Sequence, residues 1–143
     1  MVRAMVCALP TWRTSRYTVV QCPEQIDSSN ADSVREYLLA ELNTSTKPLI
    51  ADLTGTVFCD SSAINALLRA HTRARASGRR LYAAAPSEGI VRKVFDITAI
   101  TRLIPTSEDV GSAIAMAVVA ALDEAGDDVP DEIPDDVLGD TPR

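Results

Sequence analysis

The sequence is poor in the residues that most enzyme chemistry needs. It has one histidine, His71, and three cysteines, Cys7, Cys22 and Cys59, none of them in a Cys-x-x-Cys pair. Local spacing therefore supplies neither a zinc site nor a thioredoxin-type redox pair. No glycine-rich phosphate loop occurs among the six glycines, which removes the common nucleotide-binding motifs. Aromatic residues make up 4% of the chain, too few to interleave with basic side chains as a nucleic-acid surface requires. No apolar stretch reaches the length of a membrane-spanning helix. The apolar opening, residues 1–10, is short for a signal-peptide core, and Pro10 and Trp12 stand where small cleavage-site residues belong. These absences predict a soluble, cytoplasmic protein with no metal, no cofactor, no membrane association and no direct nucleic-acid partner. The cysteines lie in apolar runs and read as buried thiols of a reducing compartment; a redox role for Cys59 is the minor alternative.

The formal charge of −6 is unevenly placed. Nine acids lie between Asp123 and Asp140; with these and Arg143 set aside, 11 acids face 13 bases, and the rest of the chain is near neutral at about +2. After Leu122 large apolar side chains become rare, so the sequence predicts a domain over residues 1–122 and a disordered acidic tail over 123–143. Two roles stay open for that tail: a solubilising terminus, or an electrostatic arm that competes for a basic surface such as the arginine-rich second helix.

Residues 2–9 and 17–22 read as two strands of a hairpin, separated by Pro10 and Arg13-Thr14-Ser15-Arg16. Asp27-Ser28-Ser29-Asn30 offers capping groups before Val34, Leu38, Leu39 and Leu42 recur at helical spacing, so a helix is expected over about 29–44. Residues 49–53 have the look of a central strand ended by the Thr54-Gly55 turn. From Ser61 to Ser77, Ile64, Leu67 and Leu68 form an apolar stripe while Asn65, Arg69, Thr72, Arg73 and Arg75 fall largely off it. A strand over 80–85, a short helix opening at Ser87-Glu88 and carrying Ile90, Val91, Val94 and Phe95, and a short strand over 103–105 follow. The acid-rich Thr106-Ser107-Glu108-Asp109 then precedes a last helix over 113–122. This alternation predicts an α/β fold, a mixed central β-sheet with helices packed on it.

The densest signal is Val57-Phe58-Cys59-Asp60-Ser61-Ser62-Ala63, where a β-type apolar run turns into a helical pattern. The first N–H groups of a helix have no intrahelical partner, so a hydroxyl there serves as a cap, and a phosphate added there is electrostatically welcome. Both readings are open for Ser61 and Ser62. Catalysis is the competing class, but His71 lies about three turns further along the same helix, too far to complete a Ser-His-Asp arrangement at the corner. It reads instead as a residue at the core boundary.

The order of elements together with Asp60-Ser61-Ser62 resembles the STAS domain of bacterial anti-sigma factor antagonists over about residues 2–122. In that family an extended segment ends in an Asp-Ser-Ser-Gly or Asp-Ser-Thr-Gly corner, and the hydroxyl directly after the Asp is phosphorylated by a partner that is both anti-sigma factor and serine kinase. The resemblance implies that Ser61 is the phosphoacceptor and that Asp60, Ser61, Ser62 and Ala63 meet the partner. An acidic turn, often Gly-Glu-hydrophobic-Asp, is matched by Pro23-Glu24-Gln25-Ile26-Asp27, which implies a partner contact at Asp27. Residues 87–95 resemble the family's third-helix segment. Ala63 and Pro23 stand where the family commonly has glycine. The implied function is that of a non-enzymatic protein in partner-switching transcription control under stress. Unmodified, it binds the anti-sigma factor/serine kinase and frees a sigma factor, and phosphorylation of Ser61 switches it off. The alternative is an unphosphorylated STAS scaffold or constitutive interaction module.

Overall fold

The computed structural model describes residues 9–132. In chain order its elements are β1 (Thr11–Arg13), β2 (Thr18–Gln21), β3 (Gln25–Ile26), α1 (Ala31–Thr44), β4 (Leu49–Asp52), β5 (Phe58–Cys59) and α2 (Ser61–Ala76). They are followed by β6 (Leu81–Ala84), α3 (Ile90–Thr98), a 3-10 turn at Ile100–Arg102, β7 (Thr106–Ser107) and α4 (Val110–Glu132). Strands β2, β4 and β6 are buried on both faces, which is why they appear in the sequence as continuous apolar runs and not as alternating ones. The main sheet has the order β1-β2-β4-β6-β7 and is mixed: β1 runs antiparallel to β2, and the remaining pairs are parallel. Strands β3 and β5 form a separate, two-stranded parallel ladder.

Strand side chains alternate between two layers, as a period of two demands. Val20, Ala51 and Ala83 share one core with α1, α2 and α3, whereas Val19, Ile50 and Tyr82 share the other with Ala113 and Ala117 of α4. In the first layer α1 and α2 lie side by side, and Val34, Leu38 and Leu42 join Ile64, Leu67, Ala70 and Ala74 in one cluster. Each fully buried leucine there contributes about 1.5–3 kcal/mol of hydrophobic stabilisation.

Helix α3 opens at Ile90 behind Gly89, not at Ser87-Glu88, and α4 at Val110, not at 113; four further boundaries differ from the sequence expectation. The first strand is Thr11–Arg13, after Pro10, and of the strand expected over 2–9 only Leu9 lies within the described residues. The hairpin is set by Thr14, whose hydroxyl accepts the N–H groups of Arg16 at 3.1 Å and Tyr17 at 3.0 Å; this side-chain turn places the pairing directly before it. Helix α1 starts at Ala31, not at 29, because residues 27–30 are held in a turn of their own. Residues 103–105 are not a strand: Leu103 and Ile104 donate their N–H groups back to Ile100 in a turn, and Pro105 has no N–H, so pairing with β6 begins at Thr106. Capping of α4 then falls to Asp109, which accepts the Ser112 N–H at 2.7 Å.

The fourth difference concerns the acidic segment. Helix α4 extends past Leu122, where the last helix was expected to end, to Glu132. Gly126 and Pro130 in that stretch are the residues least favourable to a helix interior. The remainder of the expected tail, residues 133–143, and the first eight residues, with Cys7, lie outside the described residues.

Candidate functional site

Strand β5 ends at Cys59, and Asp60 follows in extended conformation as the N-cap of α2. Its side chain accepts the Ser62 N–H at 2.9 Å, and its carbonyl accepts the Ala63 N–H at 3.0 Å. Asp60 therefore caps the helix, and neither serine hydroxyl is spent on that task. Ser61 occupies the first helical position, is exposed, and its hydroxyl is bonded to no other described group. Ser62 is half-buried and lines a cavity of about 170 Å³ between the first turns of α1 and α2, together with Ser28, Asp32 and Arg35.

Ala63 is 1% exposed and belongs to the core cluster with Leu38 and Leu67, so its methyl group anchors the helix. The cause is helical phase: Ala63, Ala66, Leu67, Ala70 and Ala74 share the inward stripe of α2. Nor does the position call for glycine, since Ala99 is the one non-glycine residue with positive φ among the described residues.

Asp27 is brought to the corner by the small ladder. Gln25 pairs with Phe58 and Ile26 with Cys59, so Asp27 and Asp60 leave adjacent parallel strands side by side. Three bonds clamp the two segments: the Val57 N–H donates to the Glu24 carbonyl at 2.8 Å, the Asp60 N–H to that of Ile26 at 3.3 Å, and the Thr56 hydroxyl to that of Pro23 at 2.8 Å. The Asp27 carboxylate accepts both the hydroxyl of Ser29 at 2.5 Å and its N–H at 2.9 Å. These two bonds hold its pKa below the ordinary carboxylate value. The Asn30 amide completes the turn, donating to the Gln25 carbonyl at 2.8 Å and accepting the Asp27 N–H at 3.0 Å. Backbone register thus sets Asp27 beside Asp60, the residue that precedes Ser61.

Below the corner, Cys59 is 2% exposed, and burial, reinforced by Asp60, pushes its thiol up to about 11. Cys22 is pushed up to about 12 by burial and then by Asp52. Both thiols stay protonated at neutral pH and lack the thiolate character that a reactive cysteine needs. His71 is half-buried, with its pKa lowered by burial and by Arg75, and lies well along α2 from the corner. Among the described residues no group of three or more His, Cys, Asp or Glu side chains could hold a metal ion, and no helix is long and apolar enough to cross a membrane.

Sequence reasoning missed the apolar rim of this site. Val57 and Phe58, on the way into the corner, are 59% and 42% exposed. Helix α3 packs beside β5, burying Val91 and Phe95 and leaving Ile90 and Ile97 exposed, the latter at 81%. The sequence reading placed Ile90 on this helix with Val91, Val94 and Phe95 without separating their faces. A seven-residue spacing puts Ile90 and Ile97 on one helical face, the signal that would have separated them from Val91 and Phe95.

The model of the STAS domain family matches residues 10–113. No curated protein sequence matches the chain. Among solved structures, an anti-sigma factor antagonist from Mycobacterium paratuberculosis is 18% identical, with a TM-score of 0.66 over 77% of this chain and 92% of its own. An anti-sigma-factor antagonist (STAS) domain protein from Planctomyces limnophilus is 19% identical, with a TM-score of 0.64 over 76% of this chain and 96% of its own. The anti-sigma factor antagonist SpoIIAA in its unphosphorylated form is 16% identical, with a TM-score of 0.55 over 83% of this chain and 98% of its own. At such identities the likeness is one of fold.

Proposed function

The chain belongs to the STAS domain family, and from that premise we propose that it is an anti-sigma factor antagonist switched by phosphorylation of Ser61. Unmodified, it binds an anti-sigma factor that is also a serine kinase and so frees a sigma factor. The kinase transfers the terminal phosphoryl group of ATP to the Ser61 hydroxyl, leaving ADP and a proton, and binding ends. The observation that carries this reading is the exposed and uncommitted Ser61 hydroxyl at the start of α2, beside a cap that Asp60 already supplies. In this reading Asp27, Asp60 and Ser62 contribute to the same partner surface, supported by the register that sets Asp27 beside Asp60, and the exposed Val57, Phe58 and Ile97 supply its apolar contacts.

The physics gives the switch its direction. A phosphoserine carries about −1.5 to −2 charges at neutral pH, and at a helix N-terminus such a charge is favourable by about 0.3–1 kcal/mol. The fold therefore tolerates the modification. A partner surface that already faces two carboxylates and an apolar rim must instead desolvate a dianion, a penalty of several kcal/mol. Ser61→Asp is expected to weaken binding to the cognate anti-sigma factor at least tenfold, about 1.4 kcal/mol. Ser61→Ala is expected to keep it, with little change in Tm for either. Isothermal titration of both variants, and mass measurement after incubation with the kinase and ATP, test the proposal. Wild-type affinity in Ser61→Asp would overturn it; a mass unchanged by kinase and ATP, with binding retained, favours an unphosphorylated scaffold.

A further inference from the structure

Parallel strands in register bring the segments that feed them to one edge of the sheet. Thr18, the first residue of β2, is paired with Leu49 of β4, and Leu49 with Leu81 of β6. Lys47 lies two residues before β4 and Arg79 two residues before β6. A hydroxyl, an ammonium and a guanidinium are therefore carried to the end of the sheet where these strands begin. All three residues line an open cleft of about 810 Å³, with the loop after α1 and Ser77 after α2 as further walls. The cleft lies at the far end of α2 from Ser61, roughly 20 Å along the helix axis.

Two of the lining residues hold an unpaired polar atom. Thr18 is 3% exposed and its Oγ1 atom has no hydrogen-bond partner, and the Nη1 atom of Arg79 is buried and likewise without one. Buried donors are nearly always paired, because a bond to water given up on folding must be replaced. Arg79 is not spent on the helix end: the carbonyls of Arg73, Ala74 and Arg75 already accept the N–H groups of Ser77, Gly78 and Arg79. Lys47 donates from Nζ to the Thr14 carbonyl, which uses one of the donors an ammonium carries. Arg13, also on the wall, is engaged by Glu41. Among the described residues no carboxylate lines the cleft or pairs with Lys47 or Arg79. Burial, and then Arg73, lower the pKa of Arg79, as expected of a cation with no counter-ion beside it.

We propose that this cleft is an anion site that takes a phosphate group, either free or as the monoester of a small polar molecule. Arg79 Nη1 and the Thr18 hydroxyl each donate to a phosphate oxygen, and Lys47 supplies a second positive charge. Phosphate suits this set because several oxygens on one centre accept from donors that arrive on different segments, in charge-assisted bonds. A neutral carbonyl ligand would leave both cations uncompensated. Asn43, Thr46 and Ser77 line other parts of the cleft, so the space beyond one phosphate is bordered by amide and hydroxyl groups. The site shares no residue with the surface around Ser61, and it stands or falls independently of the phosphorylation reading.

The test titrates the full chain, isotopically labelled, with sodium phosphate and separately with glucose 6-phosphate, at constant ionic strength. The amide signals of Thr18, Lys47 and Arg79 are expected to shift saturably while those of residues 60–62 stay in place. Glucose 6-phosphate binding about tenfold more tightly than phosphate identifies a phosphate carried on a larger molecule; equal or weaker binding identifies free phosphate. Arg79→Gln is expected to lower the affinity for the tighter anion at least about tenfold, and Thr18→Val about three- to tenfold. Because Thr18→Val removes an unpaired hydroxyl, it should keep or raise Tm without phosphate, yet shrink the Tm gain that phosphate gives wild type. No saturable shift with either anion up to about 10 mM, or shifts confined to Arg75 and Arg102, would overturn the proposal. So would wild-type affinity in both variants, or an equal phosphate-induced Tm gain in wild type and Thr18→Val, since that gain would be a general salt effect.

Discussion

Asp60 combines two properties that substitution separates. Its side chain caps α2 through the Ser62 N–H, and its charge stands beside Ser61. Asp60→Ala removes both and is expected to cost about 1 kcal/mol of stability, whereas Asp60→Asn keeps the cap and should stay within a few tenths of wild type; urea denaturation of the pair distinguishes cap from charge. Two other carboxylates are expected to contribute to the acid limb. The Asp27 pKa is lowered by bonds from Ser29, and the Asp109 pKa by bonds from Ser112. Each gives up its proton more readily in the folded chain than in the unfolded one. Their contribution to stability is therefore complete above the unfolded carboxylate pKa of about 4 and is lost as pH falls through the lower folded values. Asp109→Asn is expected to flatten the fall of Tm between about pH 5 and pH 3; an acid limb identical to wild type would show that this cap is not part of it. At this scale Asp60 and Ser61 were legible because capping is local chemistry. The inward turn of Ala63 follows from helical phase, which the stripe of Ile64, Leu67 and Leu68 already contained.

Among the elements, α3 is the one with a strained end. Its C-cap residue Ala99, directly after Thr98, has φ 59° and ψ 25°, and its N–H donates to the Asp96 carbonyl at 3.2 Å. A Cβ in the left-handed region costs roughly 1–2 kcal/mol, part of which glycine gives back through its larger entropy loss on folding. Ala99→Gly is expected to stabilise the protein by about 0.5–1 kcal/mol, measured by chemical denaturation; a loss of stability would mean that the Ala99 methyl group packs usefully. Helices α1, α2 and α3 were readable because their apolar stripes repeat at helical spacing over several turns. Strands β3 and β5 were not read as a pair. Two-residue strands have almost no intrinsic preference, and what stabilises each is the other.

Across the whole molecule, the packed cores and the proposed recognition surface sit in different places. The two cores lie on the two faces of the sheet; exposed apolar residues occur at the corner (Val57, Phe58) and on α3 (Ile90, Ile97), and also on β1 (Trp12), after the 3-10 turn (Leu103) and along α4 (Met116, Val119, Leu122). Leu67→Ala, in the larger core, is expected to cost about 2–5 kcal/mol. Ile97→Ser, at a site 81% exposed, should leave Tm unchanged and weaken anti-sigma factor binding several-fold if the proposed surface is the one used. Thermal melts with titration calorimetry on both variants test this separation. A drop in Tm for Ile97→Ser would place that residue in the core instead.

By itself the sequence determined what neighbours along the chain can decide: buried strands as apolar runs, helices as stripes with caps, the Asp60-Ser61-Ser62 corner, and the unequal placement of acids. Only the tertiary structure decided what depends on contacts across long loops. The Thr56 hydroxyl reaches Pro23, 33 residues away, and the parallel pairing of β3 with β5 sets Asp27 beside Asp60. The seating of α4 on the opposite face of the sheet from α1, α2 and α3 is decided by Ala113 and Ala117 packing against Val19, Ile50 and Tyr82. Local hydrogen bonds and periodicity are written in short windows, whereas long-range pairing is won by the best joint packing of segments that share no window.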